Sequence, residues 1–163
     1  MRTALFATLL FAFACGNDDG LTISGQITVD AEGTMTGFEF PEETRLVDLA
    51  LEEDTGTQLA GSCRVVGDDA TIVVGAPGEP PAGLGLHRVE LSIPAEGSGG
   101  FAIAQLGTDE YSAALGADCS IESLELDDDG GEVYLSLVCA LEGPDAANAT
   151  LDAAFELEGC AFE

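Results

Sequence analysis

Five cysteines, one histidine and several acidic runs are the side chains whose types and spacing could carry chemistry here. The cysteines stand at 15, 63, 119, 139 and 160. A zinc or copper site needs three or four His and Cys ligands at motif spacing, and His87 has no such company. As a general base it would need a nucleophile delivered to it. That would be a serine such as Ser62, Ser92 or Ser112, but no Gly-x-Ser-x-Gly elbow presents one, and no lysine is available for Schiff-base chemistry. Its register with Val89 places His87 on an apolar strand face, the setting of a hydrogen-bonded structural histidine.

The acidic runs are Asp18-Asp19, Glu52-Glu53-Asp54, Asp68-Asp69 and Asp127-Asp128-Asp129. Hard cations take several oxygens from a curled loop, so Asp127, Asp128, Asp129 and Glu132 form the candidate Ca²⁺ set. They do not make an EF-hand. With Glu125, Asp127, Asp129 and Gly130 at positions 1, 3, 5 and 6, Ser136 falls where a bidentate Glu belongs. The competing reading is a solvated turn that keeps a strand edge soluble and gathers cations loosely. Gly97-Ser-Gly-Gly-Phe-Ala102 has the form of a dinucleotide fingerprint, but Pro94 precedes it and an alternating strand follows, so it reads as a hairpin turn. No cofactor is expected apart from the calcium alternative.

Composition narrows the classes further. The 163 residues include 31 Asp and Glu against 4 Arg, giving a net charge of −27. A basic footprint for phosphate backbones is absent, which excludes nucleic acid as a partner. Hydrophobic residues at 46 % are enough for a buried core, so the acidity does not mark a disordered tail. Carboxylate pairs, as glycosidases use, are unspecific among 31 acids, and two Tyr without Trp make a poor sugar cleft.

The N-terminus reads as a processing signal. Met1-Arg2-Thr3 is a short basic region, and the apolar run Ala4 to Ala14 is too short to cross a bilayer but suits a signal peptide over 1–14. Ala12-Phe13-Ala14 followed by Cys15 resembles the lipobox of bacterial lipoproteins, with Ala12 where the family usually carries Leu. The resemblance implies that Cys15 is lipidated and becomes the mature N-terminus, with 15–20 as a tether. Ordinary secretion is the alternative. Removing Cys15 from the count leaves four cysteines, an even set suited to an oxidising compartment. The residues from Gly16 to Gly20 reach only about 17 Å extended, so the domain would stand close to its membrane.

The elements that must position these groups alternate with period two. Leu21, Ile23, Ile27 and Val29 share one face; so do Val47, Leu49 and Leu51; Val89, Leu91 and Ile93; Val133, Leu135, Leu137, Cys139 and Leu141; and Leu151, Ala153, Phe155 and Leu157. Shorter strands are expected at 38–40, 59–66, 71–74, 101–106 and 112–115. A helical turn is expected at Pro41–Thr44, and turns at Glu32-Gly33, Thr55-Gly56, Gly67 to Asp69, Glu96 to Gly100 and Asp129 to Gly131. About ten short strands without crossover helices predict one all-β domain over 21–163, an antiparallel β-sandwich with a β-barrel as the alternative. The Pro-rich stretch Gly75 to Gly85 is the one long loop and a second binding-site candidate.

Strand register selects among the three pairings that four cysteines allow. A turn at Asp127 to Gly131 sets Cys119 opposite Cys139 and Ile121 opposite Leu137. Leu124 and Leu126 then face Leu135 and Val133 once one residue is inserted at Glu122-Ser123, which predicts a bulge there. A Cys119–Cys139 bridge leaves Cys63 with Cys160. Gly61-Ser62-Cys63 and Phe155-Glu-Leu-Glu-Gly-Cys160 resemble segments around the paired cysteines of the mycobacterial 19-kilodalton lipoprotein antigens, which implies the same clip and a membrane-anchored β protein.

The expectation is therefore an exported, non-catalytic cell-envelope lipoprotein, held to the outer or cytoplasmic membrane through lipid on Cys15. Its acidic domain would act as a surface, scaffold or binding module toward a cationic or protein partner. A divalent-cation or small-ligand binding protein is the second reading, and a carboxylate-based hydrolase the third.

Overall fold

The computed structural model describes residues 20–48, 58–76, 83, 85–96 and 99–163. The signal segment, Cys15, most of the tether, Leu49, Leu51, the turn at Thr55-Gly56, the runs Asp18-Asp19 and Glu52 to Asp54, Gly97-Ser98 and most of the Gly75–Gly85 loop lie outside them.

Among the described residues eleven strands follow one another: β1 Leu21–Ala31, β2 Thr34–Asp48, β3 Ala60–Val66, β4 Asp69–Gly75, β5 Leu86–Ile93, β6 Phe101–Leu106, β7 Asp109–Ala114, β8 Cys119–Asp127, β9 Glu132–Glu142, β10 Asn148–Glu158 and β11 Ala161–Phe162. Each of the alternating stripes lies in one of them where it is described. The expected helical turn at Pro41–Thr44 is instead part of β2. Ile23 pairs with Thr44 and Gly25 with Phe40, so Pro41 to Glu43 bulge out of the ladder. A bulge leaves backbone groups unpaired, and there the missing N–H of Pro41 costs no ladder bond.

Pairing links all eleven strands, but two weak joints part them into two largely antiparallel sheets. The first runs β8-β9-β10-β1-β2, and the second β3-β4-β5-β6-β7 with β11 added parallel to β3. Among the described residues only thin joints connect their edges: two residue pairs between β2 and β3, and one, Ser112 with Glu142, between β7 and β9. The result is a sandwich and not a clean barrel. Its core holds Ile23, Ile27 and Val29 of β1, Leu135 and Leu137 of β9, and Leu151 and Leu157 of β10 from the first sheet. Val65, Ile72, Leu91 and Leu106 come from the second. Each such side chain contributes about 1.5–3 kcal/mol by leaving water.

Both expected disulfides are present. Cys119 and Cys139 are register partners with Cα atoms 4.0 Å apart. The Ala140 N–H donates to the Asp118 carbonyl at 2.8 Å, which makes the neighbouring Cys119/Cys139 pair the close, non-hydrogen-bonded kind. The ladder slips by one residue between Ile121 and Ser123, the expected bulge. Cys63 on β3 bonds Cys160 beyond β10 across 97 residues, tying one sheet to the other.

His87 is the extra residue of a third bulge, since Leu86 pairs with Leu106 and Arg88 with Gln105. The Leu86 N–H crosses to the other sheet and donates to Thr36 Oγ1 at 2.9 Å, while the His87 carbonyl accepts from Ala76 N–H at 2.8 Å. The imidazole is buried as expected. The expected hydrogen bond is not found at Nδ1, which has no partner among the described residues.

Candidate functional site

The strand order of the first sheet assembles what the chain disperses. On each strand the inward positions are apolar, so the alternate positions form the outer face. Register sets them in rows. Asp127, Glu132, Glu158, Thr22 and Arg45 lie side by side across five strands; the next row carries Glu125, Tyr134, Glu156 and Ser24. Farther along come Glu39 beside Gln26, Asp152 beside Thr28, and Asp30. Among the described residues this face thus bears nine carboxylates, Asp30, Glu39, Glu125, Asp127, Glu132, Glu142, Asp152, Glu156 and Glu158, against one cation, Arg45.

The crowding has an electrostatic consequence. The Glu158 carboxyl is held above its ordinary value, first by Glu43 in the β2 bulge, then by burial, then by Glu132 opposite it and Glu156 on its own strand. Beside it, Thr22 Oγ1 is buried with no hydrogen-bond partner among the described residues.

The outer face of the second sheet differs. Arg64 and Arg88 project there with Asp69, Glu90 and Glu110, among Val66, Phe101, Ile103 and Gln105. Both arginines are ion-paired, Arg64 with Glu163 and Arg88 with Glu90. The hydrogen bond that Arg64 donates to the Glu163 carboxylate holds the guanidinium pKa above its ordinary value. The sandwich therefore has one strongly acidic face and one on which four carboxylates, Asp69, Glu90, Glu110 and Glu163, stand against two arginines.

The candidate calcium set is only partly assembled. Asp127, Asp128 and Asp129 can bring carboxylate oxygens within 4.8 Å of one another, all exposed, and Glu132 is not of that group. Asp127 Oδ1 already accepts the backbone N–H groups of Asp129 (3.1 Å) and Gly130 (3.3 Å), the arrangement of a side chain that shapes its own turn. Glu132 faces Asp127 across the hairpin and Glu158 on β10.

A concavity of about 670 Å³ lies where the two sheets meet and is lined by Gly20, Leu21, Arg45, Leu46, Gln58, Ser62 and others. It gathers no nucleophile–base pair. His87, on β5, does not line it.

The sequence shows Asp152, Glu156 and Glu158 as the polar side of one stripe, and Thr22, Ser24 and Gln26 as that of another. It misses that they form a common surface. Only the pairing of the first strand with the last long one, β1 with β10, joins them. No protein-family model, curated protein or solved structure matches the chain.

Proposed function

We propose that the chain is a non-catalytic, lipid-anchored protein of the bacterial cell envelope whose acidic β-sandwich binds cationic partners. The observation that carries the binding role is the charge asymmetry between the two outer faces. An acidity reflecting only habitat or genome composition would load both faces alike. Here the acids gather on the β8-β9-β10-β1-β2 sheet, while two of the three described arginines sit on the other sheet. Such a face raises the local concentration of cations and speeds encounter with basic surfaces.

Two disulfides fit an oxidising, exported compartment. The Ala12-Phe13-Ala14-Cys15 junction supports anchorage through the cysteine. A close-standing anionic domain is repelled by anionic head groups, which leaves the acidic face open to soluble or wall-bound cationic groups.

The test is equilibrium binding of a fluorescent pentalysine probe at low salt. The triple variant Glu132→Gln, Glu156→Gln, Glu158→Gln should bind it about fivefold more weakly or worse, from three lost surface charges. Glu110→Gln on the other sheet should leave affinity unchanged. Equal weakening by both would remove the facial assignment.

A further inference from the structure

β8 ends the pairing order of the first sheet, with β9 as its ladder partner. Among the described residues no backbone hydrogen bond reaches its other edge from Ser120 to Asp127. Those eight residues span about 27 Å. An edge of that length presents unpaired N–H and C=O groups, a template for another strand. The opposite end of the sandwich is treated differently: β2 is joined to β3, and β11 pairs along β3.

The side chains of this edge select what may pair with it. Ile121, Leu124 and Leu126 point to the core and are half-buried. Glu122, Glu125 and Asp127 are exposed, with Tyr134 beside Glu125 on the neighbouring strand. The bulge at Glu122, whose Oε2 accepts from Ser136 Oγ at 3.2 Å, twists the start of the edge. A second copy of this chain would bring like charges together at −27 apiece, so self-pairing is disfavoured. A strand carrying positive charge at every second position meets the opposite condition. Its side chains repeat about every 6.8 Å, the spacing of Glu125 and Asp127 on β8.

We propose that the Ser120–Asp127 edge receives an extended basic polypeptide segment as an added strand, its alternate Lys or Arg side chains facing Glu125 and Asp127. This rests on the cationic-partner reading and gives it a partner class and a docking line. Backbone bonds would supply the alignment, and the acidic face the charge complementarity.

The experiment uses the full chain with its disulfides intact and a labelled ten-residue peptide of alternating Lys and Thr. Anisotropy measures affinity, and amide shifts locate the contact. The expected result is binding with shifts concentrated at Ser120–Asp127. Affinity should fall at least tenfold when alternate peptide amides on the bonding side are N-methylated, which keeps every charge. It should fall comparably in Glu125→Lys/Asp127→Lys, with circular dichroism verifying the fold. Equal binding of the N-methylated peptide, or shifts confined to the β10 and β1 rows, would overturn strand addition while leaving the acidic-face reading intact. No binding of either peptide by folded protein would overturn both. A concentration-dependent dimer formed through β8 in sedimentation would also overturn the proposal, because the edge would then be taken by a second copy.

Discussion

Removing each disulfide in turn should rank the two by the loop that each closes. Cys63–Cys160 joins residues 97 apart, and Cys119–Cys139 residues 20 apart. In the chain-entropy description these loops correspond to about 4.7 and about 3.3 kcal/mol of stabilisation at 25 °C. The difference, about 1.4 kcal/mol, depends only on the logarithm of the loop ratio. Packing losses are similar, since each bridge buries small sulfur-bearing side chains within or beside the core. The double variants Cys63→Ala/Cys160→Ala and Cys119→Ala/Cys139→Ala avoid leaving an odd thiol. Urea unfolding followed by far-UV circular dichroism gives both the midpoint and the slope. The Cys63/Cys160 variant should lose more stability, by about 1–2 kcal/mol, and its slope should rise more because its unfolded chain expands farther. A larger loss from the Cys119/Cys139 variant, or equal losses with equal slopes, would refute the view that the inter-sheet clip acts mainly on the unfolded chain.

Other outcomes follow from named groups. Glu158 has a raised folded pKa, so the stability it permits is full below its unfolded value near 4.5 and is lost as pH climbs through the folded value. The melting temperature should therefore be higher at pH 5 than at pH 8, and should rise with NaCl at pH 8 as the Debye length shortens from about 10 Å at 0.1 M to about 3 Å at 1 M. Flat melting across pH and salt would contradict the crowding. His87 acts with the opposite sign. Burial, then Arg88, lowers its pKa, so its neutral form stabilises the fold above the unfolded value of 6.5, and that contribution is lost as pH falls toward the folded value. His87→Leu should accordingly gain on the wild type as pH drops below about 6.5; a pH-independent difference would contradict burial as the cause. Gly25, at φ +114°, would place a Cβ 2.3 Å from the Ala154 carbonyl oxygen, so Gly25→Ala should cost about 2–4 kcal/mol in denaturant unfolding. A loss below 0.5 kcal/mol would mean that β1 shifts freely against β10.

Local features were legible in the sequence wherever one periodicity and one turn decided them. The β8–β9 hairpin is the clearest case: apolar facing and the Asp127–Gly131 turn determine register, bulge and the Cys119–Cys139 bridge together, because a one-residue slip would turn a stripe outward. The Pro41–Thr44 segment misled, since proline is tolerated both at a helix start and in a bulge, and only the partner strand distinguishes them. His87 was legible as buried but not as bulged. Alternation from Val89 places it inward, while the extra residue shows only against Leu106 and Gln105 on β6. The acidic face was least legible. Its rows depend on β1 lying between β10 and β2, a contact between chain ends that no local pattern encodes.

The most direct test of the proposed function is the N-terminus of the protein recovered from its own cells, read by mass spectrometry together with membrane fractionation. The expected result is a mature chain beginning at Cys15, carrying diacylglyceryl on its sulfur and sedimenting with membranes, and a Cys15→Ser variant released from them. An unmodified Cys15, or a Cys15→Ser variant that sediments unchanged, would contradict it.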